Sequence, residues 1–487
     1  MNTRREIPMR HFYEEDINVY DLRIADLGAG APGPDLLAEC CDTFQAATDH
    51  RMQIGSEMAT RNEVPMRHLF DGSELNVYDQ QIANLSAGAP GPDLLAECCQ
   101  IFRAATEHRM KFELENNSYL FQYGPTVGTT EFRETLAGFL SKGYHSEVNK
   151  SDLVMTSGAT HGLHLILSTL VDLAGVVFVD EVTYMIALEA FQQFESMRIV
   201  PVPLNCDGPN LDALGTLINK YRFKSTGSKL FWGVYYTIPT FHNPTGILFS
   251  EEINKQLIRL ARASDILVAC DDVYNLLYYS VGKSEEGSGA YPPKRLFAYD
   301  IEDIGTDDWQ GNVISNGSFS KILSPGIRLG WMECPPRCLE VFRASGILKS
   351  GGAANNYTGG IVSSLIQLGL AEQQLEKYST KYSERLRAAA DVLEAKLPAG
   401  CSFERPKGGY FIWIRFPEGV DCVDFNQYSL KHFGVTAIAG SRFAFGETHR
   451  NFVRVTFAFH GADYLRESVE KLCRAAEQYL AEKSVGN

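Results

Sequence analysis

The chain has 487 residues, 45% of them hydrophobic, with a formal net charge of -15 and a pI near 5.3. That length supports a large core and more than one domain, and the acidic balance argues against nucleic acid or an anionic membrane surface as a partner. No run of eighteen apolar residues is present to span a bilayer.

The first stretch is unusual because it occurs twice. Met1 to His11 is closely repeated from Met58 to His68, and Ala29 to Cys41 (AGAPGPDLLAECC) recurs without change as Ala87 to Cys99. Two copies are too few for a solenoid, which needs at least three stacked units. The second copy runs on into the rest of the chain, so it is expected to hold the native place and to bring Gly88 with it. Residues 1–57 are expected to be redundant, poorly packed or docked on the surface. Glu6, Glu14, Glu15 and Asp16 speak against a mitochondrial presequence, and no apolar core of a secretory signal is present. The eleven cysteines form no C-x-x-C pair, and Cys334 with Cys338 lack a second pair, so no metal is expected. Reduced thiols in the cytoplasm are the expected state.

Further on, Leu120 to Gly128 (LFQYGPTVG) is a turn-rich segment followed by an amphipathic helix from Thr130. Tyr123 there reads either as a turn aromatic against Pro125 or as a functional group. Leu153 to Thr156 is a predicted strand, and Ser157-Gly-Ala-Thr opens a helix whose Gly158, Ala159 and Thr160 N–H groups suit an anion. Val176 to Val179 is a second strand, with Tyr184 shortly after it. Phe231 to Tyr236 is a third, ending in Thr-Ile-Pro-Thr-Phe-His-Asn-Pro-Thr-Gly, which contains Asn243. Ile266 to Cys270 is a fourth. Asp271 at its end lies where open α/β sheets bind ligands, and an unpaired carboxylate there would be costly. Asp272 alternatively caps a helix beginning at Val273.

Val313-Ile314 and the run from Ile327 to Met332 read as buried strands on either side of a turn. Lys321 occupies that turn among Ser318, Ser320, Ser324 and Arg328. Hydroxyls and a guanidinium suit a phosphate, and an amine beside them suits attack on a carbonyl. Beyond residue 345 a long charged helix near Leu375 to Ala395 leads into short strands at Gly408–Phe416, Val435–Ile438 and Phe452–Phe459, then a last amphipathic helix from about Ala462. Arg454 stands within an apolar strand, and a buried guanidinium needs an anion.

Ser318 to Trp331, S-F-S-K-x-x-x-P-G-x-R-x-G-W, resembles the lysine motif of the class I and II aminotransferases that depend on pyridoxal 5'-phosphate (PLP). The similarity spans roughly residues 75–485 and is strongest to the 2-aminoadipate and kynurenine aminotransferase-like branch. It implies an α/β fold of type I, in which helices sandwich a mostly parallel seven-stranded sheet and a smaller α+β domain lies at the C-terminus. The corresponding division is 58–110 for an N-terminal arm and helix of the small domain, 111–345 for the large PLP-binding domain, 346–398 for an interdomain helix and 399–487 for the small domain.

The resemblance also implies roles. Lys321 carries PLP and later moves a proton. Asp271 holds the ring nitrogen protonated, Tyr184 stacks on the ring although Val182 replaces the family's usual proline, and Asn243 with Tyr274 meets the phenolate oxygen. Gly158, Ala159, Thr160, Ser318, Ser320 and Arg328 hold the phosphate, joined by Tyr123 from the second subunit of a homodimer. Arg454 clamps the substrate carboxylate near Gly88 and Asn243, although Ala439 departs from the usual proline of the nearby turn. The implied activity is a ping-pong exchange of an amino group between an L-amino acid and a 2-oxo acid. A PLP-dependent cysteine-conjugate C–S β-lyase would use the same residues, and a non-catalytic ligand-sensing module is the alternative outside enzymes.

Overall fold

The computed structural model describes residues 46, 82–116, 119–223, 229–279, 292–350, 354–446 and 448–485. The expectation for residues 1–57 therefore lies almost wholly outside the described residues. Seven strands form the central sheet: β1 (Leu153–Thr156), β2 (Val171–Asp180), β3 (Arg198–Val202), β4 (Phe231–Thr237), β5 (Leu267–Asp271), β6 (Val313–Ser318) and β7 (Gly330–Glu333). Their spatial order is β1-β7-β6-β5-β4-β2-β3. All neighbours run parallel except β7, which is antiparallel to both β1 and β6. A sheet covered on both faces needs apolar strands without alternation. β1, β4, β5, β6 and β7 are accordingly buried at every residue.

Helices cover both faces, and their starts are written in the sequence. Thr129, Asn210 and Ser250 each accept a backbone N–H at the first turn of the helices Thr130–Tyr144, Leu211–Tyr221 and Glu251–Ser264. The smaller C-terminal unit is a four-stranded antiparallel sheet ordered Ser402–Phe403, Phe411–Arg415, Phe452–Thr456 and Ile438–Ala439. The helices Cys422–Phe433 and Ala462–Val485 accompany it, and the long helix Leu370–Lys396 packs along the last of these.

Three expectations change. The run from Ile327 is not continuous strand: Pro325–Ile327 forms a 3-10 turn, Arg328 takes the left-handed conformation (φ 50°), and β7 begins at Gly330. No helix starts at Val273; bends and turns follow Asp271, and Asp272 instead accepts a hydrogen bond of 2.6 Å from Ser315 Oγ. The N-terminal arm also divides. Ala83–Asn84 pairs in parallel with Val435–Thr436 of the small unit, while the helix Cys98–Glu115 packs against the helix Asn356–Gln367. Arg109 of that helix is fastened to Glu131 on the large unit at 2.7 Å.

Gly330 lies where β7 meets both of its partners, opposite Thr156 and Ser318. A Cβ there would stand 2.6 Å from the Gly317 carbonyl oxygen and 2.8 Å from the Gly158 Cα, so the backbone itself would have to move. Gly330→Ala is expected to cost about 2 kcal/mol, read as a lowered urea midpoint with an unchanged denaturant slope.

Candidate active site

The carboxyl ends of β1, β2, β4, β5 and β6 all open on one cleft. Its walls include Thr160, Tyr184, Asn243, Asp271, Lys321 and Arg328, with Ala159, Tyr274, Ser318 and Ser320 also contributing. Ten residues singled out far apart in the sequence therefore share one cavity, where doubly wound sheets place their ligands.

One end of the cleft is built for an anion. Gly158 has φ 89°, which lets the chain turn from β1 straight into the helix Ala159–Leu165. That helix lies close on β6: a Cβ at Gly162 would stand 2.1 Å from Asn316 Oδ1, and Asn316 Nδ2 donates to the Ala159 carbonyl at 2.8 Å. Ser157 N–H donates to His161 Nδ1 at 3.0 Å; burial lowers the imidazole's pKa and keeps it a neutral acceptor. Opposite, Ser318 Oγ donates to Ser320 Oγ at 2.9 Å. The left-handed backbone at Arg328 turns its guanidinium to 3.2 Å from the place of a Gly158 Cβ. Asn355 Nδ2 fixes this bend by donating to the Ile327 carbonyl at 3.0 Å.

In the middle stands Lys321, whose ammonium donates to the Gly88 carbonyl at 2.7 Å. Burial, helped by the nearby Arg454 guanidinium, lowers the amine from 10.5 to about 8, against the opposing pull of Asp271. Two tyrosines hold its turn by the backbone: Tyr410 Oη donates to the Lys321 carbonyl at 2.8 Å and Tyr378 Oη to the Leu323 carbonyl at 2.7 Å. Asp271 is buried, and burial raises its carboxyl to about 6 although Tyr236 Oη donates to Oδ2 at 2.7 Å. Its other oxygen, Oδ1, is buried without a partner.

Tyr184 precedes the helix Met185–Gln192. Where a proline was missing, hydrogen bonds to the small unit fix the segment: Val182 bridges to Ala444, and Thr183 N–H donates to the Phe443 carbonyl at 2.8 Å. Asn243 lies beside Tyr274 and favours the ionised form of its hydroxyl, and it accepts from Arg454 Nη1 at 2.9 Å. Arg454 is 2% exposed and lies over the Phe411 ring at 4.0 Å and near the Phe443 ring at 4.7 Å. Its Nη2 donates to the Ser86 carbonyl at 2.8 Å, and its Nε has no partner. Among the described residues no carboxylate pairs with it. Burial lowers its pKa to about 10, which still leaves it cationic at neutral pH.

Gly88 is thus at the cleft through its carbonyl. Tyr123 is not: it is 72% exposed and lines no part of this chain's own cavity. Tyr236, Tyr378 and Tyr410 were not singled out in the sequence. Strand alternation puts Tyr235 and Tyr236 on opposite faces of β4, but only the fold shows that the second meets Asp271.

The chemistry of this donor set fits a phosphorylated pyridine aldehyde: an anion seat at one end, a buried amine in the middle and an orphaned carboxylate oxygen. Residues 80–472 match the family model for aminotransferases of class I and II. The chain is 29% identical over 407 residues to aromatic-amino-acid aminotransferase 1 of Thermococcus litoralis, covering 83% of this chain and 90% of that one. It superposes on Pyrococcus horikoshii kynurenine aminotransferase, solved with PMP, with a TM-score of 0.69 at 29% identity, covering 85% of this chain and 98% of that one. An alpha-aminoadipate aminotransferase of Thermus thermophilus, solved with N-(5'-phosphopyridoxyl)-L-leucine, gives 0.68 at 25% identity, covering 86% and 100%.

Because burial disfavours the charged amine, Lys321 is expected to react at lower pH than an exposed lysine. Reductive trapping of a small aldehyde on the cofactor-free protein, followed by the mass of the Lys321 peptide, should rise through about pH 8. A midpoint near the ~10.4 of a free lysine would contradict this assignment.

Proposed function

The chain belongs to the class I and II aminotransferases and depends on PLP to move an amino group between an amino acid and a 2-oxo acid; from that premise we propose the following division of labour in its cleft. Lys321 is the residue that carries the cofactor, and Asp271 keeps the ring nitrogen protonated through its free Oδ1. Bound there, PLP supplies an electrophilic carbonyl and a ring that acidifies the Cα–H of the amino acid. Gly158, Ala159, Thr160, Ser318, Ser320 and Arg328 hold the phosphate, Tyr184 covers the ring, and Asn243 with Tyr274 meets the phenolate oxygen. Lys321, once free, takes the proton from the substrate Cα, its burial lowering the amine to about 8 so that it loses its own proton far more readily than an exposed lysine. Arg454 clamps the substrate α-carboxylate beside Gly88 and Asn243.

The observation that carries this reading is Arg454 itself. A guanidinium buried between two aromatic rings, with no carboxylate among the described residues, lacks the anion that would offset its desolvation. An α-amino acid or 2-oxo acid supplies that anion in the planar form a guanidinium grips with two hydrogen bonds.

The proposed donors are aromatic amino acids, kynurenine or 2-aminoadipate, the substrates for which the chain's relatives are named. The active form is proposed to be a homodimer in which the exposed Tyr123 of one chain completes the phosphate site of the other. A cytoplasmic setting agrees with the nine described cysteines, all free. No helix among the described residues is long and apolar enough to cross a membrane.

The test is the near-visible absorption of the purified protein with PLP as amino acids are added one at a time. A band that bleaches with particular donors supports transamination and ranks them; a protein with no such band would sink the reading. Lys321→Ala should abolish turnover. Arg454→Lys keeps the charge but loses the fork, and its KM for the amino acid should rise about 10²-fold, about 3 kcal/mol.

A further inference from the structure

We infer that Tyr236 is a positioning residue for the cofactor site: its hydroxyl occupies one oxygen of Asp271, leaving the other free and ionised for the ring nitrogen. The inference rests on the reading of the cleft as a PLP site and assigns a task to a residue outside the motifs that led to that reading.

Tyr236 is the penultimate residue of β4, in register with Ala269 of β5, so its side chain rises past Cys270 to the level of Asp271. It is 1% exposed, and its ring meets the edge of Phe191 with centroids 5.2 Å apart at 76°. Of the two Asp271 oxygens, Oδ2 accepts from Tyr236 Oη at 2.7 Å and Oδ1 has no partner. The phenol thus does two things: it locks the rotation of the carboxylate, and it determines which oxygen is left for another donor.

The charged and titratable surroundings make this hydrogen bond matter. Cys270 precedes Asp271 on its own strand and Asp272 follows just beyond the strand's end, Tyr184 and Tyr274 face it from neighbouring loops, and Lys321 is the cation across the cleft. Of these, burial and Asp272 favour the neutral acid, whereas Tyr236 and Lys321 favour the carboxylate. Lys321's help diminishes as the cleft takes up cofactor, because its amine is the group consumed. Tyr236 remains. Burial and Asp271 also push the Tyr236 hydroxyl well above its usual 10, so it stays a donor throughout the working pH range.

The sign follows. Without the phenol the Asp271 carboxyl rises further above its present value of about 6, and the carboxylate is lost at higher pH as the solution is acidified. Tyr236→Phe keeps the ring and removes only the donor. The variant and the wild type are loaded with PLP, dialysed across pH 5–9, and the bound cofactor read by absorbance. We expect the pH of half-retention of Tyr236→Phe to move up by about one unit and its PLP Kd to rise about tenfold at pH 5, with little change at pH 7.5, from the loss of one hydrogen bond to a charged group.

Two controls separate positioning from packing. Phe191→Leu, which loosens the same ring but leaves the hydroxyl, should not move the pH of half-retention. On an Asp271→Ala background, Tyr236→Phe should have no further effect on PLP affinity. A Tyr236→Phe protein with wild-type retention at every pH, an equal shift in Phe191→Leu, or an undiminished effect on the Asp271→Ala background would each overturn the inference. A wild type that takes up no PLP would overturn it together with the reading on which it rests.

Discussion

Three buried charges that the protein does not neutralise for itself are the constraint on which the rest depends. Desolvation penalises the ionised forms of Asp271, Lys321 and Arg454, and each retains an unused capacity. Asp271 has a vacant oxygen, Lys321 an amine pushed toward neutrality, and Arg454 a cation with no carboxylate among the described residues. A core optimised for stability alone would pair or replace these groups, since breaking a buried ion pair costs several kcal/mol. In the proposed reading the deficit of each group matches one feature of a single ligand set: a ring nitrogen that must hold a proton, an aldehyde that needs an amine, and an α-carboxylate.

Holding such groups apart requires rigidity from elements that do not take part in the chemistry. Lys321 is gripped through its backbone rather than its side chain. Tyr410 reaches its carbonyl from the small unit, Tyr378 reaches that of Leu323 from the long helix, and the hydroxyls of Tyr382 and Tyr410 meet at 3.0 Å. A parallel arrangement fixes the neighbouring loops. Asp180 accepts from Tyr235 and, at 2.7 Å, from Thr237, while His242 Nε2 stands 3.3 Å from the same carboxylate. The loop that carries Asn243 is thereby tied to the strand that leads to Tyr184. The small unit is thus part of the site's frame, because it supplies Arg454, Tyr410 and the bridge from Ala444 to Val182.

The fold class and most of the cleft were legible because both leave local marks. Continuous apolar runs marked the covered strands, and Lys321, Asp271, Asn243 and Arg454 sat in strings that resemble the motifs of one family. What was not legible depends on distance across the fold. Tyr236 and Tyr410 look like any aromatic in a strand or beside a glycine pair, and their partners are 35 and 89 residues away. The left-handed turn at Arg328 could not be told from strand, since Ile327, Leu329 and Trp331 supply the apolar pattern on both sides of it. Hydrophobic periodicity likewise could not assign the helix Cys98–Glu115 to a unit; its packing against Asn356–Gln367 and the Arg109–Glu131 pair do.

The duplicated segment can be judged by the same reasoning. The second copy occupies a place defined by four independent contacts. Ala83–Asn84 adds a strand alongside Val435–Thr436, and the Gly88 carbonyl takes the Lys321 ammonium. Gly91 passes so close under Phe459 that a Cβ would stand 2.1 Å from its carbonyl oxygen, and Asp93 pairs with the buried Arg385. Each contact has one acceptor surface, since the Val435 edge, the Lys321 amine, the Phe459 carbonyl and the Arg385 guanidinium each occur once in the fold. A second segment of similar sequence could enter this place only by displacing this one. Doing so would take the Ser86 carbonyl away from Arg454 and the Gly88 carbonyl away from Lys321 together. The cleft is therefore built around a single N-terminal arm, which the second copy supplies.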